Sequence, residues 1–379
     1  MLEYINTNHP YYTYFEKLGL PKNKTEQYRN FPIEAILETQ YTFDDKEFKL
    51  PYEGTRLVIE NGEVREYPKG THVTFKKLFE LDTNHFDALY FMSHIIGQRV
   101  IYIEVLENIS FEVLHLINKS ETLLSYRIVV KTLENQEVNV FENFEMQGSE
   151  NSFLLYGIDA EVLQDSSLVW IRNENRQVDE ASVVGTHRYN VSKLAALELK
   201  TFDFGSANSL HLSKVDLANY AWIDASHLLL ASNKARRGNV IEIHHNEAYA
   251  KSAQEARSIL RDKATGIFDA KITISSNAKY SNAAQNSKAI LLDENAHMYA
   301  KPQLEIYTDE LEASHGATIG ELDEDALFYL CSRGISLEDA RKMLVLAFAN
   351  ILIDTVKDKK YAQQIRDEFD KAYYTKDIS

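Results

Sequence analysis

Imidazole, thiol and carboxylate groups are what this chain could use to bind a metal or move a proton, and few of them stand in suggestive settings. His315 lies within Ala313-Ser314-His315-Gly316-Ala317-Thr318-Ile319-Gly320. Small neighbours and glycines leave its ring accessible and let another backbone come close. An imidazole so placed can ligate a soft or borderline metal or handle a proton. The same residues would equally serve as a tight turn closing a strand region. His244-His245-Asn246-Glu247 has the composition of a metal triad. Adjacent strand residues face opposite sides, however, so His244 and His245 cannot meet on one ion, and at most His245 and Glu247 share a face. A polar strand edge is the simpler reading. Cys331 is the single thiol, which excludes an intrachain disulfide and every paired-cysteine zinc or redox motif. Within Leu327-Phe328-Tyr329-Leu330-Cys331 it reads as a small hydrophobe in a helix.

Other chemistries are missing their signatures. The chain has no Gly-x-x-x-x-Gly-Lys phosphate loop, no Gly-x-Ser-x-Gly elbow and no His-Glu-x-x-His zinc helix. Its 14 glycines form no dinucleotide-binding signature. Lys and Arg total 41 against 57 Asp and Glu, a formal charge of −16, which argues against nucleic acid and anionic membranes as partners. Met1 to Asn8 lacks the basic and apolar regions of a signal peptide, and Met343 to Ile353 is too short to span a bilayer. A cytoplasmic protein is expected.

The elements that must position these groups fall into three stretches. The first, up to residue 97, reads as helical and turn-rich over its first 50 residues or so, with a helix over Tyr11–Leu18 stopped by Gly19 and Pro21, and as helical again over Phe75–Ser93. From about Gln98 to Glu312 the apolar period is two. Val100–Val105, Arg127–Val130, Glu137–Phe141, Ser209–Ser213 and Lys271–Ser275 are short, β-branched and bounded by Asn, Asp, Ser or Gly. Many short strands fit a sandwich, a propeller or a β-solenoid, and no repeat visible by eye decides among them. The last stretch is helical. Asp323 can cap a helix that Gly334 ends, and Ser336-Leu337-Glu338-Asp339 has the form of a capping box. Ala340, Leu344, Ala347, Ile351 and Leu352 would form one apolar face, and Lys360–Tyr373 a charged surface helix.

Three blocks, Lys301–Tyr307, Ala313–Gly320 and Leu327–Ile335, together resemble the SufB/SufD family of iron–sulfur cluster assembly proteins. Leu20-Pro21 with Glu26 and Tyr28-Arg29, and Phe86-Asp87-Ala88-Leu89, resemble its N-terminal segments, although Tyr28 stands where Trp is more common. The small-Ser-His-Gly-Ala-Thr form, followed by Leu322-Asp323-Glu324, looks like the SufD branch. So does Lys279–Gln285, which has no cysteine where SufB proteins carry one; its polar residues are expected to make a turn and inter-coil hydrogen bonds. The resemblance covers nearly the whole chain and is dense from Arg257 to Phe348.

It implies a mainly β fold: a right-handed parallel β-helix over residues 98–320, between an N-terminal helical region (1–97) and a C-terminal helical domain (321–379). Helices at both ends would cap sheet edges that a solenoid exposes. The implied role is a non-catalytic subunit of the SUF system. It would pair with a SufB-like scaffold and dock a SufC-like ATPase through its C-terminal helices. Alone, it would form a two-fold homodimer through strands near Leu304–Ile306. His315 would be an iron or cluster ligand at the partner interface. With one cysteine this chain binds no cluster alone, since clusters are held by several thiolates, so any cluster is shared with the scaffold. Two alternatives stay open at this point: a β-helix carbohydrate-active enzyme, and a purely structural docking solenoid.

Overall fold

The computed structural model describes residues 2–43, 51–97, 99–177 and 179–374. Two short helices come first, α1 (Tyr12–Leu18) and α2 (Ile33–Glu38). Strands β1 (Thr42–Phe43), β2 (Tyr52–Gly54), β3 (Arg56–Glu60), β4 (Glu63–Pro68) and β5 (Thr71–Lys76) follow, then helix α3 (Ala88–Gly97). The helical reading of this region therefore holds only in part. Residues 52–76 are strands because their β-branched residues alternate with polar ones, and the helix expected from Phe75 starts at Ala88.

Eight coils then rise in steps of two strands. They are β6 (Val100–Val105) with β7 (Ile109–Leu116), β8 (Thr122–Lys131) with β9 (Glu137–Glu145), and β10 (Phe153–Val162) with β11 (Ser167–Arg176). Next come β12 (Ser182–Val191) with β13 (Ala196–Gly205), β14 (Ser209–Leu217) with β15 (Trp222–Ala231), and β16 (Arg236–His245) with β17 (Lys251–Leu260). The last are β18 (Thr265–Ile274) with β19 (Ser281–Leu291), and β20 (His297–Ile306) with β21 (Leu311–Gly320). Even-numbered strands stack in parallel into one sheet and odd-numbered strands into the other, which makes a parallel β-solenoid. The step between coils varies: Val183 faces Ser209, 26 residues on, whereas Thr265 faces His297, 32 residues on. That drift hides the repeat from simple inspection.

One corner of the solenoid carries Asn135, Asp165, Leu194, Tyr220, Tyr249 and Tyr280, all at positive φ. Such backbone is unfavourable for a bulky residue. Stacking offsets it, with Tyr220–Tyr249 ring centroids 4.6 Å apart and Tyr249–Tyr280 5.1 Å apart. Tyr280 N–H donates to the Glu310 carbonyl and Asn282 Nδ2 to Glu312 Oε2, the turn and inter-coil bonds expected of that block.

Three apolar clusters hold the molecule. The inward rows of both sheets interdigitate, from Leu57 and Ile103 through Trp170 to Met298. Outward residues of the first sheet, such as Phe153, Leu155 and Leu210, pack under α1, α2 and α3. Outward residues of the second, including Phe202, Phe204 and Leu228, pack under two C-terminal helices, α5 (Leu337–Ile353) and α6 (Lys359–Tyr374). A further helix, α4 (Glu324–Ser332), precedes them and buries no residue. The helices thus cover sheet faces, where apolar surface needs burying, and do not cap the final coil.

The expected caps are present: Asp323 accepts from Ala326 N–H, Ser336 from Asp339 N–H, and Gly334 has φ +87. The face of α5 agrees with expectation at Ala340 and Leu352 and differs at Ala347 and Ile351. Ala340, Val345, Ala349, Leu352 and Ile353 are buried, while Met343, Ala347 and Ile351 are exposed. A helix that is apolar all round offers two choices of face, and tertiary packing made the choice. Helix α6 is also more than a surface helix, since Phe369 meets Phe204 edge-on at 5.4 Å.

Candidate functional site at the open end of the solenoid

The two ends of the stack are built differently. At the start, β5 runs antiparallel to β6, and β3 and β4 form an antiparallel pair with a register shift between Val58 and Ile59. At the other end β20 and β21 are outermost strands, each bonded on one side only.

His315 is in the middle of β21, so it is a strand residue and not a turn residue. It pairs with Gln285 of β19, which pairs with Gln254 of β17. In β19 the inward row is Ser281, Ala283, Gln285, Ser287 and Ala289, all buried. Their partners Leu311, Ala313, His315, Ala317 and Ile319 therefore form the next layer of the same interior row. With no further coil above, His315 and almost all of β21 are exposed. Neither glycine of the motif is needed by the chain's own packing. A Cβ on Gly316 would meet nothing nearer than Asn286 Oδ1 at 3.9 Å, and one on Gly320 nothing within 4 Å.

The other sequence candidates resolve separately. His244 pairs outside with Glu242 at 3.5 Å, while His245 is buried and bonds Ser252 Oγ at 2.8 Å. Burial lowers the His245 pKa to about 4, so it is neutral. Glu247 lies beyond the strand and accepts from Asn219 N–H. The three do not converge, as strand geometry requires. Cys331 sits half-buried in α4, whose Phe328 and Tyr329 are 76% and 57% exposed. Among the described residues no three His, Cys, Asp or Glu side chains come together as a metal site. No helix among them is long and apolar enough to cross a membrane.

Sequence reading missed a buried polar network inside the solenoid. Glu142 accepts from Trp170 Nε1 at 2.7 Å, Arg172 Nε at 2.8 Å and Tyr156 OH at 2.8 Å, and lies 3.1 Å from His115. Burial alone would raise its pKa, but Arg172 and His115 beside it hold it down at about 2. Within the network Arg237 bridges Glu174 and Asp203, while Arg127 pairs with Asp159 at 2.7 Å on the outer face of the first sheet, where Arg127 also donates to Ser93 Oγ of α3. His187 and His211 stack 5.3 Å apart above Gly185, where a Cβ would collide with both rings. The signal was present: Arg172, Glu174 and Arg176 share the inward parity of β11. A buried pair leaves a costly unpaired charge if one partner goes, so losing a member of this network should destabilise the early and middle coils.

A parallel β-solenoid with helices on both faces and an uncovered final coil is the class of protein that fold and site define. The chain belongs to the SufBD family: the model of the SUF system FeS cluster assembly, SufBD core domain, matches residues 115–348. That span runs from β7 into α5 and includes His315. Similar proteins include SufD of Escherichia coli, 36% identical over 123 residues, covering 32% of this chain and 29% of the relative. SufD of Bacillus subtilis is 37% identical over 90 residues, 24% of this chain and 21% of the relative. A SufBD family protein of Pyrococcus horikoshii is 24% identical over 298 residues, 77% of this chain and 66% of the relative. The matches to the two SufD proteins thus span less than a third of those proteins. Within the family the chain is most like SufD.

Proposed function

We propose that this chain is a non-catalytic subunit of a SUF iron–sulfur cluster assembly complex, with the nascent cluster as cargo at its open end. The observation that carries this reading is His315, an inward-row residue left exposed on the last coil of a SufBD core domain. A SufB-like scaffold whose own end strand adds to β21 would bury this row and supply most of the cluster ligands, His315 contributing one. Alone, a second copy of the chain would occupy the same edge and give a two-fold homodimer. The pairing edge is better placed on Leu311–Gly320 than near Leu304–Ile306. Pro302 removes a backbone donor from β20, whereas β21 keeps all of its own. The SufC-like ATPase would dock on the apolar surface of α4 and α5, where Phe328, Leu337, Met343 and Ile351 are exposed.

Gly316→Leu tests the edge. Its side chain enters open space in this chain, so thermal stability should stay at the wild-type value, while co-purification with the scaffold should fall at least tenfold. Full scaffold capture by the variant would contradict pairing at β21.

A further inference from the structure

The solenoid interior contains a small cavity of about 20 Å³ between the two sheets, lined by polar and apolar side chains together. Arg172, Thr201, Ser213, His227, Asn239 and Gln254 are among its lining residues. Its volume suits about one water molecule. Several polar atoms around it lack hydrogen-bond partners: both ring nitrogens of His227, both amide atoms of Gln254 and one terminal nitrogen of Arg172. These side chains come from β15, β17 and β11 and are 3%, 4% and 1% exposed. Asp203 Oδ2, 3.7 Å from His227 Nε2, also lacks a hydrogen bond. So many unpaired buried atoms around one void would be costly if the void were dry.

The chemistry of the lining selects the occupant. Arg172 only donates, which disfavours a cation. The Asp203 carboxylate, beside His227 but not part of the lining, only accepts, which disfavours an anion nearby, and Arg172 and Arg237 are already paired with Glu142 and Asp203. Gln254 needs both a donor and an acceptor. The occupant must be neutral, water-sized and able to donate and accept. The geometry points to a resident water site joining Arg172, His227 and Gln254, which links the Glu142 cluster to the Asp203–Arg237 cluster.

The sign of a stability change tests this on the full chain. Gln254→Leu fills the void and displaces the water, leaving Arg172 and His227 unpaired, so Tm should fall by about 3–6 °C. A dry cavity predicts the reverse: removing an unpaired buried amide should raise Tm, and that result would overturn the site. Gln254→Asn covers the case in which the leucine variant does not fold. The shorter amide admits a second water, so its Tm should stay within about 2 °C of wild type, whereas a dry and enlarged void would lower it further. A crystal structure should show solvent density within hydrogen-bond distance of Arg172 and Gln254; an empty cavity there would likewise overturn the proposal.

Discussion

One end of the solenoid is closed by its own chain and the other is left for something else. At the closed end, antiparallel strands and a register shift break the parallel template, and helices α1 to α3 bury the sheet face alongside. At the open end β20 and β21 present free backbone groups, and β21 carries His315 among small neighbours. Unpaired parallel edges invite strand addition, and proteins usually blunt them. Leaving one sharp while blunting the other is the difference that the proposed pairing at β21 would use. The interior follows the same division. Charged residues in the earlier coils are matched into tight pairs, whereas Ser, Ala and Gln line the last coils. Stability should therefore reside toward the closed end and assembly at the open end.

The largest effect should come from breaking the interior of the early coils. Glu142→Leu leaves Arg172, Trp170 and Tyr156 without their shared acceptor, and should cost about 3–5 kcal/mol in chemical denaturation. A loss below about 1 kcal/mol would show that the network is not what fixes these coils.

Acid should act there and around α3, more gradually. Glu142 has a folded pKa of about 2. Its contribution is present above its unfolded value near 4.5 and is lost as pH falls from there towards 2. Burial lowers His85 and His94 to about 3, so below 6.5 the unfolded chain takes up protons that the folded chain refuses. That too removes stability as pH falls. Asp87, raised to about 6 by burial, works the opposite way between its unfolded value near 3.8 and pH 6, and offsets part of the loss. Tm should decline steadily from pH 6.5 to 4. A flat profile over that range would contradict neutral buried histidines.

At the other end, changes should leave Tm alone and affect assembly. Deleting Ser336–Ser379 is a poor test of ATPase docking, because α5 and α6 cover Phe202, Phe204 and Leu228 and their loss would bare the sheet. The pair Phe328→Ala and Tyr329→Ala is cleaner, as neither residue is buried. Capture of a SufC-like ATPase should fall at least tenfold with Tm unchanged. Undiminished capture would move the docking surface elsewhere. The smallest effect belongs to the corner stack: Tyr249→Ala should cost about 1 kcal/mol in denaturation through lost ring contacts.

Much of this division was legible in the residues. Val100–Val105 and Lys271–Ser275 show their strand period plainly, and Asp323, Gly334 and Ser336 mark the helix boundaries they were expected to mark. The coil register was not legible, because its step drifts between 26 and 32 residues. The strands at 52–76 carried an alternating pattern that the helical reading passed over. In α5 the apolar residues run all round, so only contact with Phe202 and its neighbours selects the buried face. His315 could be singled out by type and neighbours. That it extends the row of Gln254 and Gln285 is a fact of register, which composition does not carry.

The central claim is that His315 serves the cargo and not the fold. His315→Ala in the complex with scaffold and ATPase, purified anaerobically, tests it through iron and sulfide counted per assembled heterodimer. Folding and assembly should be normal, with clearly reduced iron and sulfide. Wild-type loading, with or without a loss of stability, would contradict it and leave His315 as an ordinary strand residue.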